Sequence, residues 1–344
     1  WTADNASPTL NATASGTLAN GDMVIVNSDG TVSAIGTQST SAATGSAATY
    51  QSNYVNESSI TYDTANNRVV VAYRTTTPNV GYAVVGTVSG TSISWGTPVQ
   101  FNGSETTYVK TVFDSGSGKV LIGFSESAGS HVIVGTVSGS SISFGTKVSY
   151  GSSANWNTLA YDSTNNKTVV IWKDASNSNY GTAKVGTVSG TSISFGSATV
   201  FNSGTSNRME ATFDSTNGKV LIAYQDASNS NYGKIKVGTV SGTGISFGSE
   251  AVFHNANTNG ARFFGIGHDA TSGKSVIAYT DQGDSNKGKA RVITVSGTSA
   301  SFGSIVTYNA ANTKTSSVVH NTAANKILIA YQDDGNNGYA TSSL

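Results

Sequence analysis

The stretch VGTVSGTSISFGS, Val185–Ser197, decides the fold because the chain repeats it four more times with small changes. The copies begin at Val85, Val134, Val237 and Val292, so successive starts are 49, 51, 52 and 55 residues apart. A period near fifty residues, built from β-forming segments, is typical of a repeat architecture. Each copy alternates apolar and polar residues on both sides of a Ser-Gly turn. This pattern predicts a β-hairpin, whose strands we name C and D.

A second phrase alternates with the first and occurs six times, for example as ITYDTANNRVVVAY (Ile60–Tyr73) and LAYDSTNNKTVVIW (Leu159–Trp172). Asp, Asn and Gly at its centre favour a tight turn, because short side-chain oxygens bond the local backbone and Gly tolerates positive φ. The β-branched residues after the turn suit a buried strand. The phrase therefore predicts a second hairpin, strands A and B, and the four strands together describe one blade of a β-propeller.

The ends of the chain indicate how such a propeller closes. Six A–B phrases are followed by only five C–D phrases, and the last A–B phrase precedes a C-like strand, GYATSSL (Gly338–Leu344). The missing D strand is matched near the other end by GSAATYQSN (Gly45–Asn53), which resembles GSATVFNSG (Gly196–Gly204). We predict an all-β fold over residues 44–344. It is a six-bladed β-propeller of four-stranded antiparallel blades, and an N-terminal strand closes the last blade and removes its exposed edge.

Residues 1–43 form an N-terminal extension outside this count, and MVIVNSDGTVSAI (residues 23–35) predicts a hairpin within it. Charged residues make up 11% of the chain and the net charge is zero, so no global field favours nucleic acid or an anionic membrane. The longest apolar runs are about five residues, far short of a membrane span. The absence of cysteine excludes disulfides and thiolate zinc sites.

The loops from each D strand to the next A strand differ between repeats, whereas the A–B and C–D turns are nearly identical. Divergent loops on a repeated scaffold are where binding usually resides. Their large or charged residues are candidates for ligand binding, since flat aromatic rings beside polar groups suit sugar rings. These candidates are Tyr54, Tyr108, Trp156, Arg208, Arg262 and Phe263. Variable, solvated loops under no constraint are the alternative interpretation.

The B–C loops carry a second pattern, in which Asp174, Asp226, Asp281 and Asp333 occupy equivalent positions on the same face as the D–A loops. Oxygen-rich loops of this kind can hold calcium. The spacing matches no EF-hand, and Asx turns explain the carboxylates without a metal. We therefore assign no metal site.

Acid–base pairs such as Asp63/Arg68 and Asp162/Lys167 recur in the A–B turns, so we interpret them as turn-stabilising residues with weak, exposed ion pairs. His268 and His320 stand where other repeats have Tyr or Phe, which predicts a packing role. No nucleophile–base set, paired carboxylates, P-loop, HExxH or GxSxG motif is present. We predict no catalytic residues, no metal and no cofactor.

The phrases GTLANGDMVIVNSDGTVSAI (Gly16–Ile35), VGTVSGTSISFGS and YDSTNNKTVVIWKD (Tyr161–Asp174) resemble segments of tail-fibre and other virion surface proteins of marine tailed phages. The resemblance implies a receptor-binding or structural role on a virus particle, as a homo-oligomer. The six-fold repetition also resembles fucose-binding propeller lectins. Their repeated Arg/Glu/Trp pockets are not reproduced here, because Arg208 and Glu210 occur together in one repeat only.

Two functions therefore remain open. The first is a non-enzymatic adhesion or structural protein of a virion or cell surface, whose partners are host-surface glycans or other virion proteins. The second is a secreted propeller lectin or a glycan-active enzyme, since glycosidases also occur on propellers. Neither function involves nucleic acid or insertion into a membrane.

Overall fold

Tight turns at the repeated Asp and Gly positions fold the chain into consecutive antiparallel strands. The computed structural model describes residues 13–14, 24–26, 31–34, 45–151, 154–255, 264–322 and 324–343. The chain divides into two units, Trp1–Ser46 and Ala47–Leu344. In the first unit, β1 (Val24–Val26) and β2 (Val32–Ala34) pair antiparallel within the segment expected to form a hairpin.

The second unit contains six strand groups in chain order, here called repeats 1 to 6, each starting with an A strand. Repeat 1 comprises β3 (Val55–Asp63), β4 (Arg68–Thr75), β5 (Gly81–Ser89), β6 (Ser92–Trp95) and β7 (Val99–Asn102). Repeat 2 comprises β8 (Thr107–Asp114), β9 (Lys119–Glu126), β10 (Gly129–Ser138), β11 (Ser141–Phe144) and β12 (Val148–Gly151). Repeat 3 comprises β13 (Ala154–Asp162), β14 (Lys167–Asp174), β15 (Tyr180–Ser189), β16 (Ser192–Phe195) and the first part of β17 (Thr199–Asp214).

Repeats 4 to 6 follow the same order. Repeat 4 comprises the second part of β17, β18 (Lys219–Asp226), β19 (Tyr232–Ser241), β20 (Gly244–Phe247) and β21 (Ala251–His254). Repeat 5 comprises β22 (Gly265–Asp269), β23 (Lys274–Asp281), β24 (Lys287–Ser296), β25 (Ser299–Phe302) and the first part of β26 (Val306–Asn321). Repeat 6 comprises the second part of β26, β27 (Lys326–Asp333) and β28 (Tyr339–Ser343).

The core lies between successive repeats and is built mainly from the B and C strands. In β9, six consecutive residues are buried, as the apolar run after the A–B turn predicts. One apolar cluster joins Val70 and Val85 of repeat 1 to Val120 and Ile122 of repeat 2, and similar clusters join the later repeats. Among the described residues, no helix is long and apolar enough to span a bilayer.

The D strand differs from the sequence expectation, because it is broken into two short strands. In repeat 2, β11 pairs with one half of β10 and β12 with the other half. Gly145 stands at the break, and its amide donates to the Val134 carbonyl at 3.0 Å. A Cβ at Gly145 would lie 1.9 Å from the carbonyl oxygen of Thr191 in the C–D turn of repeat 3. The break therefore admits the backbone of the next repeat.

Two D–A connections expected as loops are continuous strands. β17 pairs with β15 through Thr205 and then with β18 from Ser206, so one strand changes pairing partners along its length. β26 likewise pairs with β24 through Asn312 and with β27 from Thr313. Repeats 3 and 4, and repeats 5 and 6, are thus joined by single strands.

The expected closing strand at Gly45–Tyr50 has no strand pairing in the structure. Its end nevertheless packs on repeat 1: the Tyr50 ring lies 5.3 Å from Tyr73 and 5.4 Å from Trp95, measured between ring centroids. Tyr150, a D-strand residue of repeat 2, makes the corresponding contacts with Trp172 and Phe195 of repeat 3, at 5.3 and 6.3 Å. Tyr50 thus makes the ring contacts of a D-strand aromatic without the strand pairing.

Repeats 1 and 6 each have an A–B surface that no described residue of another repeat covers. Ile60 of β3 is 66% exposed, whereas the equivalent Leu159 and Ile266 are 7% and 8% exposed. Leu159 packs against Gly123 of the preceding repeat, and the residue equivalent to Gly123 in repeat 6, Ala330, is exposed. Ile60 and Ala330 therefore mark the two sides of an open seam.

We expect Gly145→Ala to destabilise the protein by about 1–3 kcal/mol, because the new methyl group meets a backbone carbonyl that cannot rotate away. Urea unfolding measures this cost. The matched control is Gly103→Ala, where a Cβ would meet only the Gln100 side chain at 3.6 Å, so the change should stay within about 0.5 kcal/mol. Equal effects of the two substitutions would contradict the assigned contact.

Candidate functional site

The D–A connections and the B–C loops share one face of the second unit, here called the loop face. The amide of Ser206, in a D–A connection, donates to the carbonyl of Asn179 in a B–C loop at 3.1 Å. The A–B and C–D turns meet elsewhere: the Nε of Arg68, in the A–B turn of repeat 1, donates to the carbonyl of Gly139 in the C–D turn of repeat 2 at 2.9 Å. The structure therefore supports the expected separation into two faces.

Three D–A connections share an internal side-chain hydrogen bond that sequence comparison missed. The amide nitrogen Nδ2 of Asn102 donates to the Thr106 hydroxyl at 3.0 Å, and Asn202 donates to Ser206 at the same distance. Asn309 and Thr313 repeat the contact, again at 3.0 Å. The signal was an Asn directly after the D-strand aromatic, with Thr or Ser four residues later. These connections diverge less than their sequences indicate.

Candidate ligand residues occupy one equivalent position on successive A strands, six residues before the Asp of the A–B turn. Tyr108, Trp156 and Arg208 hold this position in repeats 2, 3 and 4, with φ values of +54°, +58° and +51°. Each lies where the pairing with the B strand shifts register. A non-glycine residue with positive φ is uncommon and favours a special role for its position. The bulge sets the same backbone conformation in all three repeats.

These three side chains lie beside one another on the loop face, and we call them the stacked row. The rings of Tyr108 and Trp156 are 5.4 Å apart between centroids and inclined at 50°. The guanidinium carbon of Arg208 lies 5.8 Å from the centroid of the Trp156 ring, within cation–π range. All three residues are half-buried. The structure thus brings together three of the six sequence candidates.

The other three candidates do not join the stacked row. Tyr54 is 75% exposed and precedes β3. Arg262 and Phe263 lie outside the described residues. Phe263 holds the sequence position equivalent to Trp156 in repeat 5.

Glu57 is a site residue that sequence reasoning missed. It holds the position of Tyr108 in repeat 1, and counting back six residues from Asp63 would have found it. Its carboxylate lies 3.3 Å from Arg74 and accepts a hydrogen bond from the Val109 amide at 3.2 Å. Burial, and next the Glu57 carboxylate, raise the pKa of Tyr108. The Tyr108 phenol therefore stays protonated at neutral pH and is available as a hydrogen-bond donor.

A cavity of about 780 Å³ adjoins the stacked row and is lined by A-strand residues of the six repeats and, in repeat 6, also by residues of β27 and β28. Its wall includes Glu57, Tyr108 and Trp156. Deeper in the wall, Lys110 of repeat 2 forms an ion pair with Glu210 of repeat 4, and the Thr158 hydroxyl lies 3.4 Å from the same carboxylate. Both acidic residues of the wall thus already have cationic partners, Arg74 and Lys110.

The B–C carboxylates are used within their own loops. Asp174 accepts from the Ser176 amide and hydroxyl, and Asp333 accepts from the Gly335 amide at 3.0 Å. Asp226 accepts from the Ser228 amide and also pairs with Lys234. The described residues contain no cluster of three or more His, Asp or Glu side chains with metal-site geometry. These contacts are the Asx turns that sequence analysis preferred over calcium.

The acidic and basic residues of the A–B turns do not form the weak, exposed ion pairs expected from the sequence. Asp63 and Asp162 are buried, and each carboxylate accepts two backbone amides and one Asn side chain of its own turn. Arg68 instead donates to backbone carbonyls. Within the described part of the chain, no ion pair joins Asp63 to Arg68 or Asp162 to Lys167. The turns are therefore stabilised by hydrogen bonds to the carboxylates.

The two histidines for which a packing role was expected lie against the A–B turn of the preceding repeat and make polar contacts there. His268 lies 3.5 Å from Asp214 and 3.2 Å from the Thr216 hydroxyl, both in the A–B turn of the preceding repeat. His320 contacts Asp269 in the same way, at 3.0 Å. Each histidine therefore connects the turns of two neighbouring repeats.

We expect the protein to lose stability as the pH falls from 7.5 to 5.5. Burial lowers the pKa values of His131, His254 and His268 below the value of about 6.5 in the unfolded chain. The unfolded state then binds more protons in this window, so acidification favours it. The melting temperature at the two pH values measures the effect.

His268→Phe provides the matched variant, since Phe113 and Phe213 occupy the equivalent positions in repeats 2 and 4. It should reduce the pH dependence without abolishing it, because His131 and His254 remain. A melting temperature that is constant or rises on acidification would show that these histidines are not held neutral.

Comparison with known proteins defines the fold. Neither a protein-family model nor a curated protein sequence matches the chain. A protein of Lactobacillus plantarum matches in structure with a TM-score of 0.55 at 10% identity, over 83% of each chain. The NanB sialidase of Streptococcus pneumoniae matches with a TM-score of 0.55 at 9% identity, over 85% of this chain and 67% of its own.

A mutant of AofleA from Arthrobotrys oligospora is similar with a TM-score of 0.51 at 9% identity, over 83% of this chain and 81% of its own. These neighbours are propeller-type proteins, and at such low identity the likeness concerns the fold alone. The chain therefore has an all-β, antiparallel, propeller-type fold.

Proposed function

We propose that this protein is a non-enzymatic adhesion protein of a virion or cell surface that binds host-surface glycans through its loop face. The observation that carries the proposal is the stacked row of Tyr108, Trp156 and Arg208, of which Tyr108 and Trp156 also line the cavity. Half-buried aromatic rings offer flat apolar area, and the phenol and guanidinium offer hydrogen-bond donors. A sugar ring has an apolar face that can stack on the aromatic rings and hydroxyl groups that can accept hydrogen bonds from these donors.

The scaffold favours binding because the row stands on paired strands and not on free loops. Each member sits at a bulge whose neighbours remain hydrogen-bonded to a B strand. A rigid aromatic platform loses little conformational entropy when a ligand binds. We propose further that the protein acts as a homo-oligomer on a particle or cell surface, which would multiply weak single contacts.

A glycan-active enzyme is the second candidate, favoured by the proximity of Glu57 to Tyr108 in the cavity wall and by the fold shared with the NanB sialidase. The electrostatics favour binding. The raised pKa of Tyr108 opposes a phenolate nucleophile, and Glu57 and Glu210 are already ion-paired. We propose no turnover for these reasons.

We expect Trp156→Ala to weaken glycan binding by roughly 2 kcal/mol or more, about thirty-fold, because it removes the central member of the stacked row. Trp156 also packs against an apolar cluster, so a stability cost of about 1–2 kcal/mol should accompany the loss. A glycan array identifies the ligand, and titration of the best hit measures affinity.

Ser215→Ala, in an A–B turn, is the control and should bind like the wild type. The proposal fails if Trp156→Ala binds normally while Ser215→Ala does not. Hydrolysis of the bound glycan that disappears in Glu57→Gln would support the enzyme instead.

We also propose that repeats 1 to 6 form a closed six-bladed ring in which residues 45–50 complete the last blade. Two features support this closure. Tyr50 makes the ring contacts of a D-strand aromatic. Ile60 and Ala330 are both exposed, and their equivalents in repeats 3 and 2, Leu159 and Gly123, pack against each other. Closure would bury both surfaces and stabilise the ring through the hydrophobic effect.

The chain contains no cysteine, so a cross-linking test has no background. We expect the double variant Ile60→Cys/Ala330→Cys to form an intramolecular cross-link with a short bismaleimide at low protein concentration. Ile60→Cys/Val88→Cys, which also pairs two exposed positions, is the control and should not cross-link. Reaction of both pairs, or of neither, would contradict the closed ring.

A further inference from the structure

The basic residue near the end of the B strand has a charged partner in repeat 1 and an uncharged partner in repeat 3. In each repeat, this residue pairs across the sheet with an A-strand residue beside the bulge: Arg74 with Glu57 in repeat 1, and Lys173 with Asn155 in repeat 3. In repeat 1 the Glu57 carboxylate lies 3.3 Å from Arg74. In repeat 3 the cross-strand partner Asn155 carries no charge, and the bulge residue is Trp156. The same cross-strand pair is therefore an ion pair in repeat 1 and joins a lysine to an uncharged residue in repeat 3.

Lys173 has no carboxylate partner among the described residues. Its half-buried ammonium donates to the side-chain oxygen of Asn207, in repeat 4, at 3.2 Å. Burial lowers the pKa of Lys173. Its sequence neighbour Asp174 is occupied by the Ser176 hydrogen bonds. A partly desolvated cation without a counter-charge favours an anion nearby.

A second cation belongs to the residue that follows Asn207 in the chain. The guanidinium carbon of Arg208 lies 5.8 Å from the centroid of the Trp156 ring. Asn207 thus connects Lys173 of repeat 3 to the strand of repeat 4 that carries Arg208. The segments of the second unit that the structure leaves undescribed, residues 152–153, 256–263, 323 and 344, contain no Asp or Glu that could supply a carboxylate side chain.

We propose that Lys173 and Arg208 form a subsite for an anionic group, a carboxylate or a sulfate, carried by a sugar whose ring stacks on Trp156. The proposal deepens the glycan-binding function and rests on it: the ligand is an acidic glycan. Arg supplies planar, paired donors for the anion and Lys supplies a compact charge. The contrast with repeat 1 lies at Lys173, whose equivalent there, Arg74, pairs with Glu57.

The test compares three soluble polysaccharides on the full chain by biolayer interferometry: neutral dextran, dextran sulfate and polygalacturonate. We expect at least one anionic polymer to bind ten-fold or more tightly than dextran. Its affinity should fall several-fold between about 0.05 and 0.5 M NaCl, because salt screens charge–charge attraction. The polymer that binds distinguishes a sulfate from a carboxylate.

Lys173→Gln keeps a donor for Asn207 while removing the charge, and Arg208→Gln removes the second charge. Each should weaken binding of the anionic polymer about ten-fold and leave the unfolding transition nearly unchanged. The control is Lys314→Gln, another loop-face lysine, which pairs with Asp334 and should have no effect. Equal losses in all three variants would indicate non-specific attraction and overturn the subsite.

The failure of this proposal differs from the failure of glycan binding. An array glycan could bind in a Trp156-dependent manner with an affinity that changes neither with salt concentration nor in Lys173→Gln or Arg208→Gln. In that case the anionic subsite is wrong and the glycan-binding function stands. If neither anionic polymer binds, the subsite is also overturned. Loss of all Trp156-dependent glycan binding would remove the proposed function itself.

Discussion

Each repeat of this protein forms an antiparallel sheet with two apolar faces, and contact with the neighbouring repeats is what keeps those faces from water. Val120 and Ile122 of repeat 2, for example, share one cluster with Val70 and Val85 of repeat 1. At the outer edge, the missing side chain of Gly145 admits the Thr191 carbonyl of the next repeat. Because burial of apolar area is the main stabilising term, no repeat is stable without a neighbour. The exposed Ile60 at the seam shows what an uncovered face leaves in solvent.

The same constraint explains why the candidate site is ordered. The A strands must pack inward in register, so residues at one repeat position converge around one cavity even though they are about fifty residues apart in the chain. The bulge then turns that position toward the loop face, with positive φ in three repeats. The side chain at this position differs between repeats while the adjoining strand pairing is retained. Tyr108, Trp156 and Arg208 are three different side chains on one repeated piece of backbone, and Glu57 holds the same sequence position beside the bulge of repeat 1.

Most of the polar residues discussed above are held by hydrogen bonds or ion pairs, whereas Lys173 has no carboxylate partner among the described residues. Asp63 and Asp162 are fully occupied by their own turns, and His268 joins two turns. Arg74 is neutralised by Glu57. Lys173, at the equivalent position, donates to the side-chain oxygen of Asn207 instead. Comparison of equivalent positions within the chain thus singles out Lys173 as a half-buried cation without a carboxylate partner among the described residues.

The repeated phrases determined the strand order and the hairpins, because turn chemistry and alternation are local properties of the chain. They also identified Tyr108, Trp156 and Arg208 as unusual, since each departs from its equivalents in the other repeats. They did not reveal the broken D strand, which depends on a carbonyl contributed by the next repeat. Nor did they reveal the continuous strands β17 and β26, whose backbone changes pairing partners.

Only the tertiary structure decided which candidates meet. Tyr54 lies outside the stacked row, and Glu57 belongs beside it, although both are in the same stretch of sequence. The physical reason is that a one-residue bulge redirects a side chain without any strong sequence signature. The distance between Arg208 and Trp156 also depends on how two sheets pack, and sheet packing is a property of the whole assembly of repeats.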